Sequence, residues 1–325
     1  MRKAFIKKAI EVLEKEAEAI KNAIPRIDAN FEKVVDLIGR SKGKVIVTGV
    51  GKSGIVGRKI SATLSSTGTP SLFMHAGEAS HGDIGVVSRG DVLLIISNSG
   101  ETEELVNLVP FVRKLGVPIV GFIGKENSIL TKKCDIVIST AVKEEACPHG
   151  VVPTASSIVT NALGDALAIA LMVRRGVEKK HLGELHPGGT IGKRLLTTVS
   201  DLMHTGDEIP LIEDDKTMKE ALFVMTAKGL GIVGVVDKDS ELVGVITDGD
   251  LRRGLERTEN FLNTKTREIM TTNPKWITSS ALAIEALQTM EKYAITNLFV
   301  YNGEKKGKPV GVIHIHDILR YGISI

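Results

Sequence analysis

Between residues 44 and 175, short apolar runs alternate with segments of helical periodicity, and this alternation most constrains the fold. Nearly continuous β-branched runs are typical of parallel strands buried on both faces, with helices as the crossover connections. We therefore predict an α/β domain over residues 1–198 with a doubly wound parallel sheet. The predicted strands are Lys44–Thr48, Ser71–Met74, Asp91–Ser97, Pro118–Ile123 and Asp135–Thr140. The predicted helices are Ile55–Leu64, Glu101–Leu115, a short piece at Ser128–Thr131 and a long one at Ser156–Arg175.

The segment ahead of the first strand has apolar residues at helical spacing from Phe5 to Ile38, which predicts two helices interrupted near Pro25. It lacks the continuous apolar core of a secretory signal, and no apolar stretch approaches about 20 residues. We therefore expect a cytoplasmic protein with no membrane association. A net charge of +3 and 4% aromatic residues also argue against a nucleic-acid surface.

An internal repeat begins after Val199. Asp201-Leu-Met203 is repeated at Glu268-Ile-Met270, and the segment that starts at Leu242 is repeated from Pro309. The offset between the copies is 67 residues at both ends and 65 in the middle, so the compensating insertions fall in loops. We predict a duplicated α/β unit, with copies at 203–260 and 268–325, whose apolar faces bury one another.

A glycine-rich turn, Gly49-Val-Gly-Lys-Ser-Gly54, follows the first predicted strand and precedes a helix. It matches the dinucleotide-binding pattern, but the second strand ends without the acidic residue that would hold a ribose. The Walker A pattern also fails, because Ile46 stands where a glycine is required. A tight turn without a ligand remains open. We favour a turn that presents Lys52 and backbone N–H groups to a substrate.

The third predicted strand ends in a loop rich in hydroxyl groups, with Ser97, Asn98, Ser99, Gly100 and Thr102 directly before a helix. Helix N-termini expose unpaired N–H groups and the positive end of the dipole, so they bind phosphate readily. Simple N-capping of the helix is the alternative, but capping needs only one hydroxyl. We predict a phosphate site here.

This loop resembles the phosphosugar loop of sugar isomerase (SIS) domains, which have a flavodoxin-like fold. The repeat, with its Gly-Val-Ile and Asp-Leu-Arg elements, resembles a pair of cystathionine-β-synthase (CBS) domains. The combination resembles the arabinose-5-phosphate isomerases. The likeness extends over nearly the whole chain, including Gly77–Asp83, Glu145–Pro148 and His186–Gly189.

The resemblance implies an aldose–ketose isomerase that interconverts arabinose 5-phosphate and ribulose 5-phosphate through an enediolate. It places the catalytic positions at Lys52, Glu104, Glu145 and His186. We expect Glu145 or Glu104 to be the base at C2, His186 to assist ring opening, and Lys52 to stabilise the phosphate or the enediolate.

Substrate contacts are likewise implied at a second set of residues. These are Ser53, Gly68, Thr69, His75, His81, Ser97, Asn98, Ser99 and Thr102. Proton-transfer isomerisation requires no cofactor and no metal. His75 and His81 could bind an inhibitory zinc ion, although no third ligand is evident.

The resemblance further implies a homotetramer whose product supplies 3-deoxy-manno-octulosonate (Kdo) for lipopolysaccharide or capsule. It suggests a nucleotide or nucleotide-sugar effector at the CBS pair, where Thr247–Asp250 fits the adenosine-contacting pattern and the second copy departs at His314. The alternative function is a non-catalytic phosphosugar sensor. Such regulators carry an N-terminal helix-turn-helix domain, and only about 43 residues precede the first strand here.

Overall fold

The computed structural model describes residues 2–257, 260–304 and 307–325, which form two compact units divided between Leu185 and His186. The helices of the first unit are α1 (Arg2–Ala23), α2 (Ala29–Arg40), α3 (Gly51–Ser66), α4 (Ala76–Ala79), α5 (Glu103–Lys114), α6 (Ile129–Lys133), α7 (Ala155–Arg174) and α8 (Lys179–Glu184). Its strands are β1 (Val45–Gly49), β2 (Ser71–His75), β3 (Val92–Ser97), β4 (Ile119–Ile123) and β5 (Ile136–Ser139).

The five strands form one parallel sheet in the order β2-β1-β3-β4-β5, which confirms the predicted doubly wound fold. The order reverses at β1, which pairs with β2 on one side and β3 on the other. Gly49 at the end of β1 lies opposite His75 on β2 and Ile96 on β3. The carboxyl ends of β1 and β3 thus form the switch point where ligands bind in open α/β sheets.

Alternate strand residues fill two separate cores, as a sheet buried on both faces requires. Val45 and Val47 belong to the core that includes residues of α2, α3 and α7, whereas Ile46 lies in the core beneath α4 and α5. The residues between the strands therefore form helices because each covers one apolar face of the sheet.

Helix α7 is more continuously apolar than the sequence analysis implied, and by length and composition it is long enough to cross a membrane. Its side chains at Leu163, Leu167 and Leu171 are buried in the core of the first unit. Gly164 permits this packing, since a Cβ at that position would lie 2.4 Å from Cγ1 of Ile60. These contacts identify α7 as a core helix.

The second unit contains the repeat. Its helices are α9 (Thr190–Leu196), α10 (Met218–Lys228), α11 (Asp248–Arg257), α12 (Thr266–Ile269), α13 (Ala283–Tyr293) and α14 (Ile315–Arg320). Its strands are β6 (His204–Thr205), β7 (Leu211–Glu213), β8 (Ile232–Val236), β9 (Leu242–Thr247), β10 (Thr271–Thr272), β11 (Trp276–Thr278), β12 (Asn297–Tyr301) and β13 (Gly311–His314). Helix α9 packs against α13, so residues 190–196 make contacts within this unit. The domain limits at 198, 203–260 and 268–325 stay predictions.

The two copies exchange their first strands. β6, which opens the first copy, pairs with β13 of the second, and β10, which opens the second copy, pairs with β9 of the first. A shared core of buried side chains joins the copies. It contains Ile209, Ile232, Val236, Leu242, Phe299, Tyr301 and Val312. The mutual burial predicted for the repeat is therefore present.

A histidine links the exchanged strand to the second copy. His204 Nδ1 lies 3.1 Å from Glu208 Oε2, and its Nε2 lies 3.0 Å from Asp317 Oδ2. Burial by itself lowers the pKa of His204, but the hydrogen bonds to Asp317 and Glu208 outweigh it, so the pKa is raised above 6.5. The protonated imidazole is therefore favoured in the folded chain.

We expect the hydrogen bonds of His204 with Glu208 and Asp317 to stabilise the second unit at low pH and to lose this effect at high pH. A raised pKa in the folded state contributes stability that is complete below pH 6.5 and is lost as the pH rises through the folded-state pKa. The difference in free energy of unfolding between wild type and His204→Gln should shrink from pH 6 to pH 9. Urea titrations followed by Trp276 fluorescence measure it, because Trp276 is the single tryptophan and lies in this unit. A difference independent of pH would contradict this expectation.

Candidate active site

The turn between β1 and α3 is built from glycine. Gly51 has φ +58°, and a Cβ on Gly54 would lie 2.9 Å from the carbonyl oxygen of Gly49. The N-cap residue, Val50, provides no side-chain hydrogen bond, and no acidic residue lies in the first turn. Lys52 is exposed in that turn, where its positive charge lies beside the positive end of the helix dipole and is unfavourable without an anion. The start of α3 is therefore suited to an anionic ligand.

The loop between β3 and α5 is shaped by its own hydroxyl groups. The buried Ser97 Oγ accepts the N–H of Gly100 at 3.0 Å, and Ser99 Oγ accepts the N–H of Glu101 at 3.2 Å. Thr102 is the N-cap residue, yet its side chain makes no capping hydrogen bond. Capping thus does not explain Thr102, and the first turn of α5 keeps its N–H groups available.

Three carbonyl groups of this loop point toward the chain segment that follows β4. The oxygens of Ser97, Asn98 and Gly100 accept backbone hydrogen bonds of 3.0 to 3.1 Å. The donors, in order, are the N–H groups of Gly124, Lys125 and Leu130. Because each peptide group is trans, the N–H groups of Asn98 and Ser99 point to the opposite side. Two backbone donors thus lie next to an uncapped helix start, an arrangement suited to an anion that we call the anion cradle.

Gly100 is required for this geometry. Its φ is +67°, and a Cβ would lie 2.0 Å from Oγ of Ser128, which itself caps α6. We expect Gly100→Ala to lower the free energy of unfolding by about 2–4 kcal/mol, from backbone strain plus the overlap. Gly116→Ala is the control, because it has φ +71° with nothing within 4 Å. Equal losses in the two variants, measured by urea unfolding, would show that the overlap with Ser128 is relieved at no cost.

A third helix start lies nearby, and a carboxylate of the chain already occupies it. Glu145 Oε2 accepts the backbone N–H groups of Thr154 at 2.8 Å and Ser156 at 3.2 Å. It also accepts the Thr154 hydroxyl at 3.1 Å. Burial raises the pKa of Glu145, but the hydrogen bonds from Ser156 and Thr154 outweigh that effect, and the pKa is lowered overall. Glu145 is therefore held as a carboxylate at the start of α7.

Side chains from these three regions line one small cavity of about 30 Å³. Ser53, Asn98 and Ser156 come from the α3, α5 and α7 ends of the sheet respectively. That volume accommodates one or two water-sized groups, so a bound sugar must extend beyond it. The sequence analysis missed Ser156. The run of hydroxyl residues Thr154, Ser156 and Ser157 at a helix start was the available signal.

Glu104 and His81 line a larger cavity of about 430 Å³ between α4 and α5. Glu104 lies in the first turn of α5, two residues beyond the loop, and His81 follows α4. Asn107 and Phe111 continue the same wall. This pair therefore lies on the α4–α5 face of the sheet, next to the anion cradle.

The remaining predicted site residues lie in other parts of the fold, outside the two cavities just described. His75 ends β2 beside Gly49, where its Nδ1 accepts the N–H of Gly77 at 3.2 Å. Gly68 and Thr69 precede β2, so they lie at the amino-terminal ends of the strands, whereas the cradle lies at their carboxyl ends. Thr69 is buried and its Oγ1 has no partner among the described residues. His186 belongs to the second unit, and its carbonyl accepts the N–H of Gly189 at 3.1 Å.

Comparisons with known proteins agree with the division of the chain into two units. Residues 38–170 match the SIS domain family, and residues 199–257 and 267–324 each match the CBS domain family. The chain is 43% identical over 319 residues to the arabinose 5-phosphate isomerase KdsD of Pseudomonas aeruginosa, covering 98% of this chain and 97% of that protein. It is 41% identical over 313 residues to KdsD of Escherichia coli K12, covering 96% and 94%.

One solved structure, of an Escherichia coli CFT073 protein in complex with arabinose 5-phosphate, is 37% identical with a TM-score of 0.56. It covers 57% of this chain and 100% of its own. Similarity to the two KdsD proteins, by contrast, extends across nearly the full length of both partners. On this evidence the chain belongs to the arabinose 5-phosphate isomerase family.

Proposed function

We propose that this chain interconverts D-arabinose 5-phosphate and D-ribulose 5-phosphate. The observation that carries the proposal is the cradle at the switch point, where the N–H groups of Asn98 and Ser99 and the uncapped start of α5 face one side. A phosphate dianion is the ligand that such a set of donors recognises. The identity of 43% and 41% to two arabinose 5-phosphate isomerases indicates that the sugar attached to this phosphate is arabinose.

The reaction needs a base that removes the C2 proton, a donor set that shelters the enediolate, and a group that returns a proton to C1. In the ring-opened sugar, the C1 oxygen gains a proton as the C2 hydroxyl loses one, and no electron leaves the substrate. Lys52, exposed in the first turn of α3, would stabilise the phosphate or the enediolate. His186 would assist ring opening.

Two glutamates compete for the role of base, and we assign it to Glu104. A general base works best when its pKa lies near the operating pH. The pKa of Glu145 is lowered, and its Oε2 is already engaged by Thr154 and Ser156. Glu104 instead lines an open cavity beside His81, where a sugar carbon can approach it. Glu145 would then be a positioning residue that fixes the start of α7.

The direct test is an assay of ribulose 5-phosphate formation from arabinose 5-phosphate by the purified full chain, with no added cofactor. Turnover in deuterium oxide should also place deuterium at C1 of the ketose, because the base exchanges its proton with solvent. Binding of arabinose 5-phosphate without turnover would instead favour the phosphosugar sensor. Turnover assays with a panel of other sugar phosphates establish whether arabinose 5-phosphate is the preferred substrate.

We further propose that the CBS pair binds a nucleotide or nucleotide-sugar effector. In the first copy, Asp250 accepts the Thr247 N–H and hydroxyl at 2.9 and 2.7 Å and pairs with Arg253 at 2.7 Å. A ribose hydroxyl would have to displace one of these partners. Titrating AMP, ATP and CMP-Kdo against activity tests the proposal, and no change with any of the three would leave the pair without such an effector.

The proposal extends to the compartment, the pathway and the oligomeric state of this protein. From the family resemblance we expect a cytoplasmic enzyme whose product supplies Kdo synthesis for lipopolysaccharide or capsule. A homotetramer is expected from the family resemblance, and light scattering on the full chain measures it.

A further inference from the structure

The chain segment after β4 runs along the side of the anion cradle that carries the carbonyl groups of its loop. The N–H of Gly124 donates to the carbonyl of Ser97 at 3.1 Å. The N–H of the next residue, Lys125, donates to the carbonyl of Asn98 at 3.0 Å. Each of these carbonyls shares a planar peptide group with one donor of the cradle, the N–H of Asn98 and of Ser99 respectively. The direction of each carbonyl therefore fixes the direction of one cradle N–H.

Gly124 lies so close to this loop that no space is left for a side chain. A Cβ at this position would lie 2.7 Å from the carbonyl oxygen of Asn98 and 2.1 Å from its Oδ1. Cβ atoms in proteins essentially never approach another heavy atom within 3.0 Å. The φ of Gly124 is not in the left-handed region, so backbone conformation does not explain the glycine. The space beside Asn98 is what requires glycine here.

The two overlaps have different consequences. The amide of Asn98 is the end of a rotatable side chain, which can turn away from a methyl group. The carbonyl of Asn98 belongs to the backbone and can move only if its peptide group rotates. That rotation would turn the N–H of Ser99 away from the cradle and strain the hydrogen bond from Lys125. The orientation of the Ser99 donor thus depends on the absence of a side chain at residue 124.

We propose that Gly124 is a positioning residue for the phosphate of the substrate. It would not contact the phosphate itself, since it lies on the carbonyl side of the loop, opposite the cradle donors. Its role is to let the peptide group between Asn98 and Ser99 lie with its oxygen toward residue 124 and its N–H toward the anion. A hydrogen bond weakens steeply once its angle at the hydrogen falls below about 120°. The inference rests on the proposed function, because the ligand of the cradle is the phosphate of that substrate.

The alternative is that glycine at residue 124 serves only the packing of the fold. Gly121, within β4, offers a comparison in the strand directly before it. A Cβ there would lie 2.7 Å from Cδ1 of Ile123 and 2.9 Å from Sγ of Cys134. Both are side-chain atoms, and neither residue belongs to the loop between β3 and α5. Alanine at residue 121 should therefore destabilise the fold without turning a cradle donor.

Gly124→Ala in the full chain tests the proposal, with inorganic phosphate as the probe. We expect the dissociation constant of phosphate, measured by isothermal titration calorimetry, to rise about tenfold, which is the loss expected of one misdirected hydrogen bond to a charged group. The KM for arabinose 5-phosphate should rise by a similar factor while kcat stays the same. The reason is that the phosphate is held equally in the ground state and in the transition state.

Gly121→Ala is the matched control. It should lower the urea midpoint of unfolding, as Gly124→Ala does, and leave the dissociation constant of phosphate and the KM unchanged. A purely structural role for Gly124 would lower both midpoints and alter neither constant. A folded Gly124→Ala variant that binds phosphate like wild type overturns the proposal, and so does an equal weakening in Gly121→Ala.

A second pair of variants applies if Gly124→Ala does not fold. Lys125→Pro removes the N–H that holds the carbonyl of Asn98, whereas Lys125→Ala retains this N–H and removes the same charge. Phosphate should bind about fivefold more weakly to Lys125→Pro than to Lys125→Ala. Equal dissociation constants for these two variants would contradict the positioning role of the segment after β4.

Failure of this inference and failure of the proposed function give different results. Phosphate binding is measured without the sugar, so a wild type that binds phosphate but does not convert arabinose 5-phosphate refutes the isomerase alone. Calorimetry then still decides the role of Gly124. A wild type that converts arabinose 5-phosphate, with phosphate binding unaffected in Gly124→Ala, refutes only the role of Gly124. A wild type that does not bind phosphate refutes the cradle and this inference with it.

Discussion

Replacing Glu104 by glutamine should lower kcat by about 10²–10⁴-fold and leave KM within a few-fold of wild type. Glutamine keeps the size and one oxygen of the side chain but cannot accept the C2 proton. The anion cradle should keep its shape, because Glu104 lies outside the Ser97–Thr102 loop. Steady-state assays with arabinose 5-phosphate measure both constants.

Glu145→Gln is the matched comparison. One oxygen remains to accept the N–H groups of Thr154 and Ser156, but the negative charge at the start of α7 is lost. We expect a fall in the free energy of unfolding of about 1 kcal/mol and a smaller loss of kcat than for Glu104→Gln. If Glu145→Gln abolishes turnover with KM unchanged while Glu104→Gln stays active, the base is Glu145 and our assignment is wrong.

Placing a negative charge in the cradle should prevent phosphate from binding there. Ser99→Asp keeps an oxygen that can accept the N–H of Glu101, as Ser99 Oγ does at 3.2 Å. The added carboxylate would face the phosphate dianion within a few ångströms. We expect KM to rise about 100-fold, which corresponds to about 2.7 kcal/mol, well below the unscreened Coulomb repulsion.

Ser99→Asn is the control for that variant, because it has nearly the same shape without the charge. Its KM should stay within about threefold of wild type, since the Asn oxygen can make the same local hydrogen bond. Competitive inhibition by inorganic phosphate should weaken in Ser99→Asp and persist in Ser99→Asn. Similar constants for the two variants would mean that the phosphate lies elsewhere.

Much of the fold was predictable because it depends on short-range patterns. The five strands and the helix at Ala155–Arg174 lie within two residues of their predicted limits. Burial on both faces of a parallel strand produces a continuous apolar run, and helix periodicity is visible within three turns. The exchange of β6 and β10 between the CBS copies was not predicted, since two-residue strands leave almost no pattern in a sequence.

The sequence by itself determined the doubly wound sheet, the repeat and the hydroxyl-rich loop after β3, because each is encoded within a few neighbouring residues. Only the tertiary structure decided that Glu145 is engaged by the start of α7 while Glu104 faces an open cavity. It alone placed Thr69 at the amino-terminal end of the strands and left Ile6, Ile10 and Leu13 of α1 exposed. The physical reason is that proximity, burial and pKa depend on long-range packing, which joins residues that are far apart in the chain.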